Sequence, residues 1–142
     1  LAGSDLPARA YPERLQRALN PLPFPEQTWR SAVESAVPWT LVSGVAREES
    51  RWDAAAISGV GARGLMQLMP GTAAEGAARR GLPPPALESL FDPELSLELG
   101  AHELGRLYGA FAGPPAPVAA AYNAGEAQAR LWLAECGTPC PS

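Results

Sequence analysis

The stretch AREESRWDAAAISGVGARGLMQLMPGTA, residues 46–73, holds the features that decide how this chain folds. It begins with the end of a helical pattern that carries two adjacent glutamates, Glu48 and Glu49. A loop with three glycines follows, and glycine permits both left-handed backbone and the close approach of a ligand. A second helix is predicted to begin at MPGT (69–72), because proline is favoured in the first turn of a helix. The first question is therefore which of the two glutamates faces the interior.

Helical periodicity separates the two glutamates. At about 100° per residue, the apolar stripe of the preceding helix continues to Glu49 and leaves Glu48 on its flank. We therefore predict that Glu48 is solvated and that Glu49 faces the interior or a cleft. Burial raises the pKa of a carboxyl, so a buried glutamate can act as a general acid near neutral pH. On periodicity alone, the favoured interpretation of Glu49 is a structural helix-end residue, bonded to a backbone group or an arginine. The members of the stripe are Pro38, Leu41, Val42, Val45 and Ala46.

Outside this stretch, proline and glycine divide the chain into helices. Asp92 followed by Pro93 is typical of an N-cap and a first-turn proline, whereas PLPFPE (21–26) interrupts any helix. No stretch of strand length is rich in alternating β-branched residues, and no repeat is evident. The sequence predicts one all-α domain over residues 1–142. The predicted helices are 26–36, 38–51, 69–80, 92–111 and 118–135, with an extended lead-in at 1–10, a short helix after Pro12, a loop at 59–64 and a connector at 81–91.

Composition narrows the class of protein. The chain has 142 residues, of which 46% are hydrophobic, and this suits one domain with a sizeable core. No apolar run reaches the ~20 residues that a membrane-spanning helix needs. The net charge is −4 without a basic stripe, which argues against nucleic acid and anionic membrane surfaces as partners. A neutral or weakly charged ligand such as a glycan fits this composition.

The cysteine and histidine content argues against a metal site and against a thiol enzyme. Cys136 and Cys140 lie four residues apart and allow either one small-loop disulfide or two free thiols. Together with His102 they form no convincing zinc set, and His102 is expected on the surface or between helices. The chain begins at Leu1 without a signal peptide, and we interpret it as a mature or excised form.

The residues after the glycines have the composition of a ligand cleft. Leu65, Met66 and Met69 would supply an apolar wall, and Gln67 an amide that both donates and accepts. An ordinary glycine-rich connection packed by core methionines explains the same residues, so both interpretations stay open. Asp53, the nearest further carboxylate, is interpreted as a capping residue and not as a catalytic group.

Several motifs resemble, in order and spacing, those of the soluble lytic transglycosylase family, whose catalytic domain is goose-lysozyme-like. Ser96 stands where this family usually has asparagine. The resemblance covers residues 11–133 and implies an all-α, lysozyme-like domain with a substrate cleft. The motifs are YP (11–12), ES (49–50) with Trp52 behind it, GLMQ (64–67), PGTA (70–73), FDPELSLELGAHEL (91–104), AYNAG (121–125) and Trp132.

The resemblance implies an enzyme that cleaves the glycan strands of peptidoglycan. Such enzymes break the β-1,4 bond between N-acetylmuramic acid and N-acetylglucosamine without water and leave a 1,6-anhydromuramoyl end. One glutamate acts first as acid and then as base, and by position it matches Glu49. No cofactor and no metal are implied, and the substrate implies the periplasm or cell envelope of a bacterium. The positions that match cleft residues are Ser58, Val60, Gln67, Met69, Tyr122 and Asn123, with the Tyr122 hydroxyl expected near the catalytic carboxyl.

Alternatives stay open at this point. The family usually continues with a helical segment that carries an ETR.Y motif and a cleft glutamate. The sequence has no such motif, so we expect a fragment or a shortened C-terminus. A goose-type lysozyme, which hydrolyses with water, is disfavoured by the GLMQ and AYNAG motifs. A catalytically silent peptidoglycan-binding or scaffold module is disfavoured by the presence of both Glu49 and Tyr122.

Overall fold

The computed structural model of the chain describes residues 21–136, which form helices joined by short turns and one longer loop. Four of these helices carry a proline in the first turn, where the missing N–H would have had no partner within the helix. The elements are α1 (Pro25–Glu34), α2 (Trp39–Ser50), α3 (Pro70–Arg79), a 3-10 helix (Leu87–Phe91), α4 (Pro93–Ala110), α5 (Pro115–Ala124) and α6 (Glu126–Cys136).

The prediction of an all-α domain is confirmed over the described residues. Between α2 and α3, isolated antiparallel bridges join Arg63 to Ile57 and to Leu68 without forming a strand. Within residues 21–136, no helix combines the length and the apolar character that crossing a membrane requires. The lead-in at 1–10 and the short helix predicted after Pro12 lie outside the described residues.

Helix α4 is the centre of the core. It packs against α1, α2, α3 and α5, and its buried face includes Leu97, Leu104 and Leu107. Its start is fixed as predicted, because the Asp92 carboxylate accepts a hydrogen bond of 2.8 Å from the backbone N–H of Glu94. The helices that carry the candidate site are thus arranged around one buried element.

A glycine on α4 allows the loop that follows Glu49 to reach the core. A Cβ at Gly100 would lie 2.5 Å from Cγ of Met66, closer than two carbon atoms can approach. Met66 is fully buried at this contact. The GLMQ segment is therefore held directly against the central helix.

The prediction of one last helix over 118–135 is wrong. Helix α5 already begins at Pro115, because prolines in a first turn lack only N–H groups that a helix leaves unpaired. The chain then breaks at Gly125, whose φ of 91° is a conformation that favours glycine. Tyr122 and Asn123 consequently lie at the end of α5, beside the break. The predicted connector at 81–91 likewise contains the 3-10 helix.

Candidate functional site

The last turn of α2 separates the two glutamates as predicted. Glu48 is exposed, whereas Glu49 is half-buried. Burial raises the pKa of Glu49 above its ordinary value of 4.5, and the negative charge of Glu48 adds to this rise. A side-chain hydrogen bond with Asn123 acts in the opposite direction. Glu49 is thus a carboxyl group whose protonated form the site favours.

The turn after Glu49 is built by local side-chain hydrogen bonds. The Ser50 hydroxyl donates to the carbonyl of Ala46 at 3.1 Å, one helical turn back. The Asp53 carboxylate accepts from the N–H of Ala55 at 2.9 Å, which agrees with its predicted capping role. Arg51 and its successor Trp52 both have positive φ, of 53° and 66°. Two consecutive left-handed residues without glycine turn the chain sharply away from α2.

The loop over 58–62 folds back on itself around Ser58. The Ser58 hydroxyl accepts from the N–H of Ala62 at 3.0 Å, and the Ser58 N–H donates to the Ala62 carbonyl at 2.9 Å. Gly61 supplies the positive φ of this tight turn. Val60 lies at the tip and exposes 78% of its surface. Ser58 therefore shapes the loop, and Val60 is presented to solvent.

Gln67 uses its amide nitrogen inside the same loop. Its Nε2 donates to the carbonyls of Ala56 at 3.1 Å and Gly64 at 3.0 Å. Both amide hydrogens are thereby engaged, so the oxygen is the polar atom of this side chain that is left for a ligand. Met69, two residues on, is exposed at the start of α3. The sequence motif gave no indication of these two hydrogen bonds.

Tyr122 and Ser96 hold the Met66 peptide from opposite sides. The Tyr122 hydroxyl donates to the Met66 carbonyl at 2.8 Å, and the Ser96 hydroxyl accepts from the Met66 N–H at 3.1 Å. Burial, and then the negative charge of Glu49, raise the pKa of Tyr122 well above 10, so it is a neutral phenol at neutral pH. The charge of Glu49 thus acts on Tyr122, but the Tyr122 hydroxyl itself is bonded to Met66 and not to the Glu49 carboxyl group. The structural role of Ser96 was missed, because its partner lies thirty residues away in sequence.

The candidate residues divide between two cavities. A groove of about 600 Å³ between α2 and α5 is lined by Glu49, Asn123 and mostly apolar side chains. A cavity of about 170 Å³ is lined by Gln67, Met69 and Tyr122, together with charged residues of α4 and α6. Ser58 and Val60 line neither space. The structure therefore brings Glu49 and Asn123 to one groove, places Tyr122 with Gln67 and Met69 in the other cavity, and leaves the tip of the loop apart from both.

The remaining titratable candidates lie outside these cavities. Burial, followed by the positive charges of Arg80 and Arg79 on α3, lowers the pKa of His102 on α4, in keeping with an interhelix position. Over residues 21–136, no three His, Cys, Asp or Glu side chains are grouped to hold a metal ion. Cys136 is exposed at the end of α6, but Cys140 lies outside the described residues, so both the disulfide and the two free thiols stay open as predictions.

The raised pKa of Glu49 predicts how stability depends on pH. A carboxyl whose pKa is higher in the folded than in the unfolded state stabilises the fold fully below its unfolded value of about 4.5, and this contribution is lost as pH rises through the folded pKa. Glu49→Gln cannot ionise, so its Tm relative to the wild type should increase between about pH 4 and pH 7. Thermal unfolding monitored by circular dichroism measures this. Glu48→Gln, one residue away and exposed, is the comparison, and its Tm difference should rise less, because it removes only the part of the Glu49 pKa shift that the Glu48 charge causes. A difference that stays flat with pH, or equals that of Glu48→Gln, would contradict the assignment.

Tyr122→Phe tests the support of the loop. The variant leaves the buried Met66 carbonyl without its donor, which should lower the free energy of unfolding by about 1–3 kcal/mol. Urea unfolding gives this value. Tyr108→Phe is the matched control, because the structure gives its hydroxyl no hydrogen-bond partner among residues 21–136 and it should change stability little. Equal effects of the two variants would mean that the Tyr122–Met66 hydrogen bond contributes nothing specific.

Comparisons of the sequence and of the structure with known proteins both find lytic transglycosylases. The model of the family "Transglycosylase SLT domain" matches residues 28–139. A soluble lytic murein transglycosylase of Escherichia coli is 35% identical over 114 residues, which is 80% of this chain and 18% of that protein. The corresponding protein of Salmonella typhimurium is 39% identical over 90 residues, 63% of this chain and 14% of its own length.

Solved structures of lytic transglycosylases share the fold. An inactive mutant of the enzyme Slt from Pseudomonas aeruginosa superimposes with a TM-score of 0.78 at 35% identity, and covers 82% of this chain and 19% of that chain. The 70 kDa soluble lytic transglycosylase of Escherichia coli gives a TM-score of 0.77 at 33% identity, covering 83% and 19%, and is also known in complex with bulgecin A. The chain spans less than one fifth of the length of these relatives. The lysozyme-like fold expected from the motifs is thereby confirmed.

Proposed function

The chain belongs to the transglycosylase SLT family, and from this premise we propose that it is the catalytic domain of a peptidoglycan lytic transglycosylase. It would cleave the β-1,4 bond between N-acetylmuramic acid and N-acetylglucosamine and leave a 1,6-anhydromuramoyl end. The observation that carries this proposal is Glu49, a half-buried carboxyl with a raised pKa at the edge of a largely apolar groove. Its substrate would be met in the periplasm or cell envelope of a bacterium.

Glu49 would serve both halves of the reaction. As an acid it gives its proton to the glycosidic oxygen while the bond from that oxygen to the anomeric carbon breaks. As a carboxylate it then takes the proton of the muramoyl C6 hydroxyl, whose oxygen forms the new bond to the anomeric carbon. Glu49 ends protonated, as it began, but with the proton of the C6 hydroxyl; no water is consumed, and no cofactor is needed. The N-acetyl group of the substrate would stabilise the intermediate.

The carboxylates near Glu49 suit a mechanism with one catalytic acid. Glycosidases of the common type need a second carboxyl group across the scissile bond. Glu48 is exposed on the adjacent flank of α2, and Asp53 is engaged by the backbone of the next turn. Neither occupies an opposing wall of the groove. This arrangement favours attack by a hydroxyl of the substrate itself.

The other candidate residues would bind and orient the glycan. Tyr122 is a neutral hydroxyl close to Glu49, and would fix the cleft through the Met66 peptide. Asn123 lines the same groove as Glu49 and lowers the pKa of its carboxyl group. The remaining residues proposed to contact sugar or peptide are Ser58, Val60, Gln67 and Met69.

Borohydride reduction followed by mass spectrometry tests the proposed reaction. Purified peptidoglycan sacculi are incubated with the protein, and the soluble products are reduced before analysis. Anhydro ends resist reduction, whereas the reducing ends left by a lysozyme gain two hydrogens. Products that resist reduction support the transglycosylase. Reducible products would identify a goose-type lysozyme, and binding to sacculi without any product would identify a silent binding module.

A further inference from the structure

We propose that Asn123 is a positioning residue for the catalytic acid: its side-chain amide orients the Glu49 carboxyl group across the groove between α2 and α5. The inference rests on the proposed function, because it assigns Asn123 to Glu49 and not to the sugar. It also gives a reason for the position of Asn123 next to Tyr122, at the break between α5 and α6.

The groove itself places the amide opposite the acid. On α5 the lining residues are Pro115, Ala116, Ala119 and Asn123, and the last three share one helix face at spacings of three and four residues. Asn123 is the polar member of this face, and Glu49 lines the same groove from α2. The Asn123 amide is near enough to Glu49 to lower the pKa of its carboxyl group. Because the rest of this face is small and apolar, the Asn123 amide is its one polar group that can interact with the Glu49 carboxyl group.

Adjacent residues of α5 therefore fix two different parts of the site. Successive side chains of a helix are turned by about 100°. Tyr122 points to the loop and donates to the Met66 carbonyl at 2.8 Å, whereas Asn123 points across the groove to Glu49. At the end of α5, Tyr122 thus fixes the GLMQ segment, and Asn123 faces Glu49.

The charges around Glu49 explain what an amide contributes. Glu48 repels a carboxylate at Glu49 from the same helix, and Arg47 lines the groove on that helix as well. From α5, Tyr122 gives its one hydroxyl proton to the Met66 carbonyl and so has none for Glu49. The Asn123 amide can donate to the ionised carboxylate and favours it. Asn123 would thereby stabilise the form of Glu49 that accepts the C6 hydroxyl proton.

Direct titration of Glu49 tests this role without relying on activity. Protein labelled with carbon-13 at the glutamate side-chain carboxyls is titrated by NMR, and Glu49→Gln assigns the Glu49 signal. In Asn123→Leu, which is nearly isosteric but cannot donate, the titration midpoint of Glu49 should move to higher pH. Gln128→Leu, which removes an exposed amide on α6, should leave it unchanged. A midpoint that does not move in Asn123→Leu would overturn the proposal.

Steady-state kinetics on muropeptide chains separate orientation of the acid from binding of the sugar. For Asn123→Leu we expect kcat to fall about tenfold, the loss expected for one hydrogen bond to a charged group, with KM changed less than about twofold. A raised KM with unchanged kcat would make Asn123 a sugar ligand and would overturn the proposal. If the wild type releases no anhydro product, the proposed function fails, while the NMR titration still decides whether Asn123 controls Glu49.

Discussion

Glu49→Gln is expected to lower kcat for the release of soluble products from sacculi by at least about 1,000-fold. Proton transfer by one positioned side chain contributes about 10²–10⁴-fold, and here the same carboxyl would carry out both transfers. Glutamine preserves the shape of the side chain and its capacity to hydrogen-bond with Asn123, but it cannot exchange a proton. The loss should therefore appear in kcat, with KM little changed.

Two controls distinguish loss of catalysis in Glu49→Gln from loss of folding. The Tm of Glu49→Gln at neutral pH should equal or exceed that of the wild type, for the reason given by the raised pKa of Glu49. Glu48→Gln removes a carboxyl group one residue earlier, where the exposed Glu48 lines the groove on its flank, and should retain activity within a few-fold. If Glu49→Gln kept a tenth or more of the wild-type kcat, another residue would have to supply the proton. The inactive Slt mutant of Pseudomonas aeruginosa carries glutamine in place of a glutamate, as the family mechanism would require.

Among glycine-to-alanine substitutions in the loop between α2 and α3, Gly64→Ala should cause the largest loss of stability. A Cβ at this position would lie 2.0 Å from the Leu90 carbonyl oxygen and 2.9 Å from the Ser96 hydroxyl, and the backbone has a φ of +76°. A backbone atom cannot move aside as a side-chain end can, and alanine is strained at this φ. We expect the free energy of unfolding to fall by about 3–5 kcal/mol, a large part of what holds a small domain folded.

Urea unfolding of Gly64→Ala beside Gly59→Ala measures this effect. Gly59 lies in the same loop, but a Cβ there meets nothing within 4 Å and its φ is not positive. Its substitution should change stability by less than about 1 kcal/mol. Similar values for the two variants would mean that the packing of Gly64 on the 3-10 helix and Ser96 does not hold the loop.

Local rules predicted the parts of the site that depend on one helix. The period of an α-helix was enough to turn Glu49 inward and Glu48 outward, because α2 is regular to its last turn. Proline and an aspartate cap were enough to place the start of α4. The same rules failed over 118–135, because they started the helix only after Pro115 and did not weigh the positive φ that Gly125 adopts.

Contacts between distant segments could not be predicted in this way. The hydrogen bonds that hold Met66 come from Ser96 and Tyr122, which are 30 and 56 residues away in sequence. The amide of Gln67 was expected to meet a ligand, yet its nitrogen is bound by two carbonyls of its own loop. Periodicity says which way a side chain points from its helix. It does not say which peptide it meets, since that depends on how the helices pack.

Digestion of sacculi in water labelled with heavy oxygen shows whether water or a hydroxyl of the substrate attacks the anomeric carbon. Wild-type protein and Glu49→Gln are compared, and the soluble products are analysed by mass spectrometry. If the C6 hydroxyl attacks, the wild type releases anhydromuropeptides that carry no heavy oxygen, and Glu49→Gln does not release them. Products with one heavy oxygen at the new muramoyl end would mean that water attacks the anomeric carbon and that the protein is a hydrolase.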